Sequence, residues 1–168
     1  MDKQMKTAKK ISFCGMFAAL IFAFTMFVKI PVASGYVHLG DALVYVCAML
    51  LGGPYAFFAA IIGEGLADIA GGYLIYFPAT VIVKSLVVIP FVIIRKRSKN
   101  KLLTKISALM TLPAGLVTVV GYFLADLIID KAYAIVDIPG NIIQAVGSAI
   151  IFIVVAFAFD KSKIIEKI

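Results

Sequence analysis

The stretch YLIYFPATVIVKSLVVIPFVII, residues 73–94, decides how this chain is read. It is apolar over the length of a membrane-spanning helix, which needs about 20 residues, and it carries one ionisable residue, Lys84, near its middle. Pro78 precedes that lysine and Pro90 follows it. A cation at the centre of a bilayer costs several kcal/mol unless it is paired or reaches water. Lys84 is therefore a functional-site candidate from the outset, and its surroundings are the question to answer.

The remainder of the chain has the same character. Its 168 residues are 63% apolar and 15% charged, with a mean hydropathy of +1.09; soluble domains run near one half and one quarter. There is too little polar surface to coat a water-exposed globule, and the length accommodates roughly six spans of about 20 residues with short loops. The expectation is an all-α integral membrane protein, a single six-helix domain over residues 1–168. Breakers at Pro31, Gly52-Gly53-Pro54, Gly71-Gly72 and Pro139 set the spans near 11–30, 37–51, 55–70, 73–94, 106–129 and 141–159. The run at 11–30 exceeds a signal-peptide core and lacks a cleavage site before the next polar loop, so it reads as a retained first span. Cys14 and Cys47 lie in apolar runs without metal or redox spacing and read as small buried hydrophobes.

The formal charge of +7 marks topology rather than nucleic-acid binding. Of sixteen lysines and arginines, Lys3, Lys6, Lys9 and Lys10 precede the first span. Arg95, Lys96, Arg97, Lys99, Lys101 and Lys105 separate the fourth from the fifth, and Lys161, Lys163 and Lys167 follow the sixth. With six spans these all fall on one side, leaving only Lys29 and Lys131 opposite. The positive-inside rule then places both termini in the cytoplasm of a multi-pass cell-membrane protein. The outer side gathers His38, Asp41, Asp68, Asp126, Asp130 and Asp137 with Tyr36, Tyr73, Tyr76, Tyr122 and Tyr133, the variety expected of a ligand site opening outward.

A rise of 1.5 Å per residue puts Lys84 about 16 Å above the cytoplasmic edge and Glu64, counted from Pro54, about 15 Å. Opposite charges on consecutive spans thus share a depth, either as a structural ion pair or as the polar floor of a cavity. Asp68 lies one turn further out on the same face as Glu64. Gly71-Gly72 then leads into Tyr73 and Tyr76, rings suited to stacking on a flat heterocycle. Asn141 and Gln144 share a face of the sixth span, and Tyr122 and Asp126 a face of the fifth; either pair serves a ligand edge or helix–helix bonding. His38 and Asp41 are further outer candidates. On the first span Gly15, Ala19 and Ala23 recur every four residues, a small-residue stripe for close helix approach, within the bundle or to another membrane protein.

The sequence has no phosphate-binding loop, zinc-protease motif, Cys/His cluster or nucleophile elbow, so an enzyme is not expected, nor any cofactor or metal in this chain. Clear inverted repeats of the kind found in secondary transporters are also missing.

The segments His38-Leu-Gly-Asp-Ala-Leu, Leu51-Gly-Gly-Pro, Gly63-Glu-Gly-Leu-Ala-Asp68 and Gly72-Tyr73 through Pro78-Ala-Thr-Val-Ile-Val-Lys84, in that order and spacing, resemble the substrate-binding S components of energy-coupling-factor (ECF) vitamin transporters. The nearest branch is the riboflavin-transporter-like one, which includes pyridoxine- and hydroxymethylpyrimidine-type carriers. The resemblance implies high-affinity capture of a vitamin on the outer side by a six-helix protein. It further implies docking on a transmembrane coupling subunit that carries two ATPases, so that ATP is hydrolysed by partners, and toppling in the membrane to release substrate inside. In that family an Ala-xxx-Ala stripe on the first helix docks the coupling subunit; Gly15, Ala19 and Ala23 match with glycine first. A self-sufficient proton-coupled carrier using Glu64, Asp68 and Lys84 as a relay, and a ligand-free membrane scaffold, are the readings of other classes that compete with it.

Overall fold

The computed structural model describes residues 7–32, 35–98 and 101–162. Lys3, Lys6, Lys99, Lys163 and Lys167, part of the charge argument above, lie outside them. The elements in chain order are α1 (Thr7–Phe27), a hairpin of β1 (Lys29–Val32) and β2 (Gly35–His38), α2 (Gly40–Leu51), α3 (Gly53–Ala70), a 3₁₀ turn (Leu74–Tyr76), α4 (Phe77–Arg95), α5 (Lys105–Leu109), α6 (Thr111–Ile129), α7 (Lys131–Val136) and α8 (Ile138–Lys161). Contacts run α1–α3–α4–α6–α8 in sequence around α2, which touches α1, α3, α4 and α8.

Four helical segments among the described residues are long and apolar enough to cross a membrane: Thr7–Phe27, Leu74–Arg95, Lys105–Ile129 and Ile138–Lys161. Their outward faces present large apolar side chains such as Ile93, Leu112, Ile128 and Val154, a surface suited to lipid rather than water. The other two expected spans differ. The 18 residues of α3 include Glu64 and Asp68. The 12 residues of α2 reach only about 18 Å, well short of a roughly 30 Å hydrocarbon core.

The hairpin corrects two expected boundaries. Helix α1 stops at Phe27, and Lys29, Ile30 and Pro31 pair with His38, Val37 and Tyr36. Residues 29–30 thus leave the first span and residues 37–38 the second. Short apolar runs rich in Ile and Val serve either helix or strand, and Pro31, which cannot continue a helix, is tolerated on an edge strand.

Almost every side chain of α2 is buried, from Asp41 through Leu51, with Leu43 partly so. Its C-terminal carbonyls would be orphaned in the interior. Arg95 reaches back from the end of α4, its Nε donating to Met49 O and its Nη2 to Leu50 O, both at 3.0 Å. This residue, read as a topology charge in the sequence, is also the cap of the central helix. Tyr45 of α2 stacks on Phe91 of α4 at 4.6 Å between centroids, and Phe152 of α8 meets both edge-on.

The basic end of the bundle is tied together by Asp160, whose two carboxylate oxygens accept from Leu102 N and Leu103 N at 2.8 and 2.9 Å. At that end Lys10 also lies over the Tyr55 ring. The opposite end holds the hairpin, the 3₁₀ turn and α7. Helix α1 seats its Phe17, Ala18, Ile21 and Thr25 face inward, and the approach to α3 depends on Gly63. A Cβ there would lie 2.7 Å from Ile21 Cβ and 2.8 Å from Ala18 O. Gly63→Val should therefore cost about 1–3 kcal/mol by overpacking, read as a lowered thermal midpoint of the detergent-solubilised protein. Gly15→Ala, where a Cβ meets nothing within 4 Å, should leave that midpoint unchanged.

Candidate binding site

Lys84 is fully buried on α4, and its ammonium bridges two carboxylates. Nζ donates to Asp41 Oδ1 at 2.6 Å and lies 3.0 Å from Glu64 Oε2. The Glu64 partnership expected from depth is present. The closer partner is Asp41, which the sequence reading placed in the outer loops. It stands in the first turn of α2, fully buried, where the positive end of the helix dipole also favours a carboxylate. The Glu64 contact is charge attraction without directed bonding, since neither of its oxygens has a hydrogen-bond partner, whereas the Asp41 bond is short and charge-assisted. The ring of Tyr122 lies 5.2 Å from Nζ, close enough for a cation–π contribution.

A polar chain extends outward from this layer. Asp41 Oδ2 accepts from Gln144 Nε2 at 2.8 Å, and Gln144 Oε1 accepts from His38 N–H at 3.3 Å. His38 Nδ1 accepts from Gly40 N–H at 3.2 Å, which assigns the imidazole proton to Nε2, 3.9 Å from Glu64 Oε2. Gly40 admits no side chain: a Cβ would overlap Thr25 Oγ1 and stand 3.2 Å from His38 Nδ1 and 3.3 Å from Glu64 Oε1. Burial, then the Lys84 cation, pull the His38 pKa down to about 3, so the ring is neutral. Nearby Tyr36 is pushed up to about 12, by burial first and then by Asp68, and keeps its proton.

Above the ionic layer lies a cavity of about 120 Å³. Of the ten candidate ligand residues, His38, Asp68, Tyr73, Tyr76, Tyr122, Asn141 and Gln144 line it. Asp41, Glu64 and Lys84 do not; they form the layer beneath, between 0 and 1% exposed. Lys84, read from the sequence as half of a structural ion pair or as a cavity floor, lies in this paired layer. Three further residues line it: Asp126, which the sequence pairs with Tyr122 on one face of the fifth span, and Tyr36 and Asp137, which it places only among the outer-side polar groups. Which of these turn inward depends on how the elements rotate, for which one sequence carries no direct signal. Tyr76 OH donates to Asp126 Oδ1 at 2.9 Å, and the Tyr122 and Thr80 hydroxyls bond at 3.1 Å. Tyr36 and Tyr73 meet edge to face at 5.4 Å, with Lys29 Nζ 3.8 Å over the Tyr36 ring.

The first two members of the small-residue stripe face away from the bundle. Gly15 and Ala19 are exposed and Ala23 is half-buried, on a side of α1 distinct from its inner face of Phe17, Ala18, Ile21 and Thr25.

Two measurements check this geometry. Removing one member of a buried ion cluster costs about 3–5 kcal/mol. Lys84→Met, which leaves Asp41 and Glu64 as uncompensated neighbours, should therefore lower stability in detergent by that amount. Glu64→Gln, which keeps the Lys84–Asp41 bond, should lower it much less; equal losses would contradict the assignment of Asp41 as the principal partner. For His38, the unfolded chain takes up a proton near pH 6.5 that the folded chain refuses until about pH 3. Its share of stability is complete above pH 6.5 and is lost as pH falls, by up to about 1.4 kcal/mol per pH unit. His38→Asn retains an acceptor for Gly40 N–H and should flatten the slope of unfolding free energy between pH 6.5 and 4.5; identical slopes would contradict the buried neutral ring.

Comparison with known proteins places this geometry in a family. Residues 5–161 match the model of the ECF-type riboflavin transporter, S component. An uncharacterized protein in a gap 3'region of Pyrococcus woesei is 32% identical over 130 residues, covering 76% of this chain and 85% of that protein. With a match across nearly its whole length, and with several helices long and apolar enough to span a membrane, the chain belongs to the ECF-type riboflavin transporter S-component family of vitamin-uptake membrane proteins.

Proposed function

We propose that this protein is the substrate-capture subunit of an ATP-driven ECF-type importer. It binds a small heterocyclic vitamin or precursor of the pyridoxine, hydroxymethylpyrimidine or riboflavin class in the cavity between the hairpin, the 3₁₀ turn, α6 and α8. The observation that carries the reading is the segregation of that cavity to the end of the bundle away from the basic clusters. If those clusters are cytoplasmic, the cavity opens outward. The chain then crosses the cell membrane six times, with α2 as a short inner span, α3 as a span that exposes Phe58, Ile62 and Leu66, and both termini in the cytoplasm. The stripe of Gly15, Ala19 and Ala23, exposed at its first two members, supports docking of α1 on a transmembrane coupling subunit, with two partner ATPases supplying the energy and no cofactor in this chain. Of the relay Glu64, Asp68 and Lys84 that a self-sufficient proton-coupled carrier would use, only Asp68 lines the cavity. The burial of Glu64 and Lys84 beneath it weighs against that reading, which needs its titrating groups within reach of water.

Protein purified in mild detergent should retain a small heterocycle at near-stoichiometric amount, identified by mass spectrometry of a denatured extract. A preparation that retains nothing and binds no member of a panel of riboflavin, pyridoxine, pyridoxal and hydroxymethylpyrimidine would overturn the reading. Ala19→Trp should abolish co-purification with a co-expressed ECF module while leaving ligand retention within about twofold; undiminished co-purification would remove the stripe from the docking surface.

A further inference from the structure

The charged side chains lining the cavity are of one sign. Asp68, Asp126 and Asp137 line it, and each has one buried carboxylate oxygen without a hydrogen-bond partner among the described residues. Asp126 is only 1% exposed, with Oδ1 held by Tyr76 OH at 2.9 Å and Oδ2 left open. Among the described residues no lysine or arginine lines the cavity. Of the nearby cations, Lys84 is engaged by Asp41 and Glu64 beneath it and Lys29 rests on the Tyr36 ring. Unpaired carboxylate oxygens in a buried site are costly, and tyrosine faces attract cations. An anion placed here would meet three carboxylates; a cation would meet both kinds of partner.

Size sets the second limit. A cavity of about 150 Å³ takes a benzene ring, so about 120 Å³ matches one ring and not three.

Resting on the capture reading above, we propose that the ligand is a positively charged single-ring heterocycle, an amidine-like or protonated amino-substituted azine. Its N–H donors pair with Asp126 and Asp137 and its ring lies among the tyrosines. The family's name points to a flavin, which a cavity of this size does not support for this chain.

The test uses one shape at three charges. Ligand-stripped full-length protein in detergent is titrated at pH 7 with benzamidinium, benzamide and benzoate, and with riboflavin, by calorimetry and thermal shift. Benzamidinium should bind at least tenfold more tightly than benzamide, with benzoate weakest. Asp126→Asn, which preserves an acceptor for Tyr76, should weaken benzamidinium by about ten- to a hundredfold, the worth of a charge-assisted bond, and change benzamide by less than threefold. Asp137→Asn should act in the same direction, and monodisperse elution with an unchanged thermal midpoint shows that either variant is folded. Equal binding of the three rings, preference for benzoate, or tight riboflavin binding indifferent to Asp126→Asn would overturn the proposal. Extracts separate the two levels of the account. A retained flavin, anion or neutral molecule overturns the charge assignment and leaves substrate capture standing, whereas a chain that retains nothing and binds no probe overturns both.

Discussion

The buried bridge from Asp41 through Lys84 to Glu64 is the constraint on which the rest of the structure depends. It joins α2, α4 and α3 at one level, and through Gln144 it reaches α8. Charges this deep are tolerable only when paired and hydrogen-bonded, so the rotation and height of each helix are set by the need to bring these side chains within about 3 Å. The small residues follow from the same demand. Gly40 lets the start of α2 pass Thr25, His38 and Glu64, and Gly63 lets α3 close on α1. Satisfying the cluster and packing the backbone are one geometric problem.

The bridge also divides the bundle by chemistry. Beneath it the core is aliphatic and aromatic, built on Tyr45, Phe91 and Phe152, and closed by Arg95 on the last carbonyls of α2. Above it, the hairpin, the 3₁₀ turn, α6 and the start of α8 surround a cavity of tyrosines, carboxylates and amides. Because Asp41 and Glu64 neutralise Lys84, the positive charge at the centre of the sequence is not what a molecule in the cavity meets. It meets Asp68, Asp126 and Asp137. For a member of the ECF S-component family, this separates the residues that hold the site in shape from those available for recognition.

Much of this was legible in the chain. The match in depth between Glu64 and Lys84 follows from the fixed rise of a helix and needs no tertiary information. Seven of the candidate residues line the cavity, because polar and aromatic groups at one end of apolar spans have few other uses. Asp41 stands in the sequence at the outer end of an apolar run and reads there as outer-side chemistry; nothing in a one-dimensional pattern shows that α2 is short and sunk into the bundle. The hairpin was missed because Lys29–Val32 and Tyr36–His38 are too few residues to display a period. Asp126 stands out in the sequence only through its spacing from Tyr122, and Tyr36 and Asp137 only as outer-side chemistry, since their inward facing depends on how β2, α6 and the start of α8 turn against their neighbours. The orientation of Gly15 and Ala19 away from the core likewise required the contacts of α1.

The most direct test of the central claim, a capture cavity supported by but separate from the ionic layer, is an experimental structure of the protein with its retained small molecule. Density for that molecule should lie among Tyr36, Tyr73, Tyr76 and Asp126, with Lys84 Nζ still on Asp41. Density in contact with Lys84, or seated in the apolar groove lined by Phe13, Leu20 and Phe159, would contradict the account.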